Sequence, residues 1–271
     1  MQLREFAEGK PSDVIAYIAR DVEIWLNHNE SPEIPYKNND FCMTGNAIKI
    51  FGACEYSNAE KDICLVDGSA GGGKSEALRE FKRRNVLTIL VTLDVLSRSP
   101  AVVLPMICRQ IQISTRRGTN SHIMYCIIEA LMNSNRLLIF DECHFARWEL
   151  LEMIRRIHDA AGIGIVLCGQ ERLYQEMKKP TGNYLWDQIS SRIGMRVSID
   201  GVERNDVDMI CRKIYPECDD NSLEYLYLIA QGPGKFRVMS KILKQALKVS
   251  AMENMPLSVK LLREVSAMHI I

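Results

Sequence analysis

The chain has 271 residues, 47% of them apolar and 25% charged, with 34 basic side chains matched by 34 acidic ones. These proportions exclude a disordered chain, and the even charge excludes a histone-like cationic coat. No apolar run reaches the roughly 18 residues of a membrane-crossing helix, Met1–Glu8 lacks the apolar core of a secretory leader, and nine scattered cysteines without a CxxC pair read as reduced thiols in a cytoplasmic protein.

Pro11-Ser12-Asp13 precedes Val14, Ile15, Tyr17, Ile18, Val22, Trp25 and Leu26 at helical spacing, which predicts a helix ending near Asn27 within an N-terminal unit 1–30. Residues 31–60, opened by Pro32 and Pro35, are expected to form a linker and a short helix around Ala47–Cys54. Over residues 61–200 the runs Ile63–Val66, Val86–Leu93, Leu137–Phe140, Ile163–Leu167 and Met195–Ile199 alternate with stretches at helical spacing. That alternation predicts an α/β domain with a five-stranded parallel sheet. Over 201–271 the strand signals stop. Asp206–Ile214, Ser222–Ala230, Arg237–Ala251 and Ser258–Met268 then predict a small helical C-terminal lid domain.

Asp67 closes the first predicted strand, and Gly68-Ser69-Ala70-Gly71-Gly72-Gly73-Lys74-Ser75 follows before a helix. A G-x-x-x-x-G-K-[ST] run in that context is a phosphate loop. Its glycines turn backbone N–H groups inward around phosphate oxygens, and the helix adds its positive end. Lys74 is assigned to the terminal phosphates of ATP and Ser75 to Mg²⁺. Leu137-Leu138-Ile139-Phe140-Asp141-Glu142 is an apolar strand ending in two acids beside the nucleotide crevice. Asp141 is assigned to the Mg²⁺ shell and Glu142 to the general base that polarises the attacking water.

Further polar residues follow buried runs. Gln170, after Ile163–Cys168 and Gly169, is a candidate contact to the γ-phosphate or the water. Arg192, just before the last strand, is a candidate finger on a neighbouring subunit's ATP, where a guanidinium is worth roughly 10³–10⁵ in rate. Arg237, behind Gly232-Pro233-Gly234-Lys235-Phe236, is placed to lean over the phosphates. Cys143 is read as packing, because hydrolysis needs no thiol. His144 is read as structural, with a water contact near the site as the alternative. Trp25 and Trp148 are expected to pack, and Lys82-Arg83-Arg84 to form an exposed face or a subunit contact.

These pieces, in this order, resemble an AAA+ ATPase. The text between them is similar to the B-type transposition ATPases of phage Mu: Gly68–Arg84, Asp141-Glu142 with Leu150–Arg155, Ala161–Leu167, Ser191-Arg192-Ile193 and Pro233–Arg237. The resemblance implies an ATP- and Mg²⁺-dependent ATPase that assembles helically on double-stranded target DNA with little sequence preference. It further implies delivery of that DNA to a DDE transposase and stimulation of that enzyme. Three features depart from the family pattern: residues 1–30 match only the last helix of its helix-turn-helix module, Gln170 stands where Asn is usual, and the near-neutral charge is low for a non-specific DNA binder. In this family the loops equivalent to Leu96–Ser99 and Thr115–Gly118 line the inner surface of the filament, which makes Arg98, Arg116 and Arg117 the candidate DNA contacts. A signalling or replication-initiation ATPase acting on a protein partner is the alternative. A small-molecule P-loop kinase is disfavoured, because the Asp141-Glu142 pair and the helical lid suit water activation.

Overall fold

The computed structural model describes residues 41–114, 118–178 and 188–269. The predicted helix at 14–27 and two candidate DNA contacts, Arg116 and Arg117, lie outside the described residues. The chain runs α1 (Gly45–Glu60), β1 (Ile63–Gly68), α2 (Lys74–Arg84), β2 (Thr88–Thr92), α3 (Pro100–Gln110), α4 (Asn120–Leu131) and β3 (Leu137–Asp141). A 3-10 turn (Cys143–Phe145) leads to α5 (Trp148–Ala161), β4 (Ile165–Gly169), α6 (Glu171–Lys178) and β5 (Ile193–Ile199). Then come α7 (Arg204–Ile214), α8 (Asp220–Gln231), α9 (Lys235–Met252) and α10 (Val259–Ser266).

The five strands form one parallel sheet in the order β2-β3-β4-β1-β5. The central strands β1, β3 and β4 are buried along their whole length. Their unbroken apolar runs are therefore what a sheet covered on both faces requires. Alternate residues divide between two cores. Ile63, Leu65, Leu138, Phe140, Ile165 and Leu167 face α3, α4 and α5. Cys64, Val66, Ile139, Val166 and Cys168 face α1 and α2 through Ile50, Ala53, Leu78 and Phe81. A third core, around Leu226, Met239, Leu243 and Leu262, holds α7 to α10 together.

Where the residues 31–60 were expected to contain a linker and a short helix, the structure has a sixteen-residue helix at 45–60. Thr44 caps it by accepting from the N–H of Ala47. Ser57 ties it to the sheet by donating to the carbonyls of Asp62 at 2.8 Å and Ile165 at 3.0 Å. Its apolar face is short and interrupted by Asn46 and Ser57, which is why it did not stand out in the sequence. Strand β2 begins at Thr88 rather than Val86, because Asn85 to Thr88 form a hydrogen-bonded turn that leaves Val86 90% exposed. Strand β4 begins at Ile165, since Gly162 ends α5 in the left-handed region and Gly164 passes against the Ser57 carbonyl. Trp148 does not pack: it opens α5 and is 48% exposed.

Candidate active site

The carboxyl ends of the parallel strands converge where ligands bind in such sheets. At the end of β1 the buried Asp67 is held by two bonds from Arg196, Nε at 2.8 Å and Nη2 at 2.7 Å. Arg196 lies 3.4 Å over the ring of Tyr174. That paired charge fixes the strand end from which the phosphate loop departs. A Cβ on Gly68 would fall 2.3 Å from the carbonyl oxygen of Ile199, and one on Gly71 (φ +85°) 2.0 Å from that of Gly234. Only glycine allows the loop to run this close to β5 on one side and to the α8–α9 turn on the other. Ser69 and Ala70 are exposed at the bend, Gly73 caps α2, and Ser75 lies half-buried in its first turn. The Gly72 carbonyl accepts from Asn46 Nδ2 at 3.3 Å, and the same amide reaches Gly201. Lys74 Nζ is folded into the loop, donating to the carbonyls of Gly68 at 2.9 Å and Ser69 at 2.8 Å.

Asp141, buried at the end of β3, accepts from the N–H of Glu142 at 2.8 Å. Glu142 itself has φ +56°, a left-handed conformation costly for a residue with a side chain. Burial and the neighbouring Asp141 push its carboxyl above the usual carboxylate range, while Lys74, Arg237 and Arg172 pull it down. The carboxyl therefore sits in the field of the loop lysine and of the lid arginine at once. Next to it the His144 imidazole is pushed down to about 4 by burial and by Arg172 and Lys74, so it is neutral near pH 7. Gln170 follows the end of β4, half-buried, with its backbone N–H on His144 Nδ1 at 3.3 Å.

Other candidates are placed differently. Arg237 is exposed in the first turn of α9, directly behind the Gly234 turn that meets Gly71. Arg192 is paired with Asp159 at 3.3 Å. Its neighbour Ile193 is in register with Ile63 at the start of β1, the end of the sheet opposite the phosphate loop. The structure thus does not bring Arg192 to the phosphate loop of its own chain. Arg98 is folded back over the Phe145 ring at 5.8 Å, with its Nε buried and without a hydrogen-bond partner. Asn46, Arg172 and the pairing of Arg196 with Asp67 are not visible in the sequence, because each lies far along the chain from the motif it supports.

A family model of the AAA domain matches residues 58–177, and the model described as "Mu B transposition protein, C terminal" matches residues 191–268. The chain is 29% identical over 209 residues to the Mu-like prophage FluMu DNA transposition protein B of Haemophilus influenzae, covering 74% of this chain and 70% of that one. It is 27% identical over 230 residues to the ATP-dependent target DNA activator B of Escherichia phage Mu, covering 84% and 73%. Among solved structures, Cdc6p from Pyrobaculum aerophilum superposes with a TM-score of 0.65 at 14% identity, covering 89% of this chain and 71% of that one. A chain of the Drosophila ORC bound to DNA does so with 0.57 at 9% identity, covering 91% and 72%. These two likenesses show the fold. An AAA domain built around the phosphate loop, a Mu B C-terminal region behind it and these relatives together support a Mu B-type transposition ATPase.

Proposed function

We propose that this ATPase uses bound ATP to assemble as a helical filament on double-stranded DNA of little sequence preference, and that it delivers this DNA to a DDE transposase and stimulates it. The observation that carries the reading is the meeting of the phosphate loop with the lid at Gly71 and Gly234. A triphosphate in the loop then bears directly on the region that matches the Mu B model. The names of the relatives, target DNA activators and transposition proteins, support DNA as the partner.

In the site, the N–H groups of residues 69–75 cradle the phosphates, and Lys74 exchanges its two carbonyl partners for phosphate oxygens. Gln170 and Arg237 contact the terminal phosphate. Glu142 takes a proton from water as that oxygen bonds to the γ-phosphorus and the bridge to ADP breaks. A carboxylate buried at the strand end (Asp141) and a hydroxyl in the first turn of the loop helix (Ser75) suit a hard divalent cation, so these residues would hold Mg²⁺, which neutralises phosphate charge. Arg192 serves the ATP of an adjacent subunit, and Arg98, Arg116 and Arg117 meet the DNA backbone.

Negative-stain microscopy with duplex DNA tests the reading. Regular filaments with ATP and none without it are expected. Discrete rings or monomers with both present would refute assembly on DNA and favour a protein-directed initiation-type ATPase.

A further inference from the structure

His144 has no part in the roles above, yet its ring is where two pieces of the hydrolytic site meet. Its side chain is 1% exposed, and Nδ1 lies 3.3 Å from Glu142 Oε2. The same Nδ1 is 3.3 Å from the backbone nitrogen of Gln170, whose N–H is aimed at it. The ring is seated against Phe145, centroid to centroid 4.4 Å. Phe145 in turn carries the guanidinium groups of Arg98 and Arg172, each 5.8 Å from its centroid. Gly169 makes the approach possible, because a Cβ there would lie 3.2 Å from the His144 backbone nitrogen. The ends of β3 and β4 are therefore joined through one imidazole.

One nitrogen cannot serve both partners. With the ring proton on Nε2, the Nδ1 lone pair accepts from the Gln170 N–H and has nothing to donate to a carboxylate. With the proton on Nδ1, the ring donates to Glu142 Oε2 and the Gln170 N–H is released. The two tautomers hold the same number of protons, so exchange between them is a choice of hydrogen-bond partner. The buried ring can change partner with no other movement than that of the proton and of the strand end it faces.

We propose that His144 is a positioning residue for ATP hydrolysis: its Nδ1–H form holds the Glu142 carboxylate toward the attacking water, and its Nε2–H form anchors the end of β4 when no nucleotide is bound. The proposal rests on the reading of Glu142 as the base. Steady-state turnover, ATP affinity by calorimetry and thermal melting of the full chain test it. His144→Ala is expected to lower kcat by roughly tenfold to hundredfold, the scale of a misplaced catalytic group, with ATP affinity and KM nearly unchanged. His144→Asn, whose amide N–H can replace Nδ1–H, should recover most of that loss. In a Glu142→Gln background His144→Ala should cost nothing further, because no base is left to orient.

Wild-type kcat in His144→Ala, or a loss that adds in full to that of Glu142→Gln, would overturn the proposal. Imidazole ¹⁵N shifts of His144 in the wild-type chain decide the matter should the alanine variant not fold. Addition of Mg²⁺ and a non-hydrolysable ATP analogue is expected to move the proton to Nδ1, and a ring that stays Nε2–H throughout overturns the assignment. Should Glu142→Gln turn over ATP at the wild-type rate, it is the reading of Glu142 that fails. Should Glu142→Gln be slow while His144→Ala is not, only the positioning role falls.

Discussion

Lys74 and Glu142 occupy one electrostatic neighbourhood but stand for separable steps. The amine is turned onto two neutral carbonyls of its own loop, 2.9 and 2.8 Å away. A phosphate offers it charged acceptors instead, and a charged hydrogen bond contributes about 1.5–3 kcal/mol. Lys74→Ala should therefore weaken ATP binding by roughly tenfold to hundredfold, with ATP-dependent DNA affinity lost alongside it. Glu142→Gln keeps the shape of the side chain and removes the basic oxygen. Calorimetry should find its ATP affinity in place, while turnover falls by roughly 10²–10⁴, the range ascribed to a general base. Equal damage to affinity in both variants would show that Glu142 acts in binding.

At the scale of elements, two features carry predictions. The first is the passage of the phosphate loop against the α8–α9 turn. Gly71→Ala would place a methyl 2.0 Å from the Gly234 carbonyl and hold a side chain at φ +85°. The loop or the lid must then shift. A stability loss of about 1–3 kcal/mol is expected, together with weaker ATP binding, read by melting and titration. Gly52, with open space around it, should accept alanine without that loss.

The second is a pair of separate charge clusters, one within α2 and one within α5. Arg83 and Arg84 hold Glu80, and Arg155 and Arg156 hold Glu152, so that both carboxyls fall to about 2. A carboxyl whose pKa is lower folded than unfolded stabilises the fold above its ordinary pKa, about 4.5 here. That contribution is lost as the pH falls toward about 2. Melting temperature should drop across this window in wild type, and less steeply in the double variant Glu80→Gln/Glu152→Gln. Added salt should blunt the difference, since Arg83 is 71% and Arg156 61% exposed.

For the whole molecule, the informative feature is the placement of Arg192 at the amino end of the sheet, opposite the phosphate loop. In the proposed function Arg192 acts on the ATP of an adjacent subunit. Mixing Arg192→Ala chains with Glu142→Gln chains should therefore restore turnover that neither shows alone, because some interfaces then pair an intact Glu142 with an intact Arg192. No recovery on mixing would remove Arg192 from catalysis. Charge reversal at Arg116 and Arg117 should leave ATP affinity unchanged and reduce the slope of log DNA affinity against log salt by about two.

Several parts of this protein were legible before any tertiary information. Strands buried on both faces must be apolar throughout, so β1, β3 and β4 stood out, and the Gly68–Ser75 run between a strand and a helix admits few other readings. The regions less legible were those where a partner distant in sequence supplies the reason. The weakly amphipathic α1 is held by Ser57 on the sheet and by Asn46 on the loop, 26 residues away from Gly72. Asp67 looked like a strand exit until Arg196, 129 residues on, closed on it.

What the amino-acid order determined alone was local: the alternation of strand and helix, the glycine pattern that bends around phosphate, and the acids at a strand end, because each depends on neighbours within one turn or one strand. What only the tertiary structure decided was juxtaposition. Sequence spacing carries no information on which strand ends lie side by side. Close packing of the sheet brings Gln170 and Glu142 to a single nitrogen of His144, and the lid turn to Gly71.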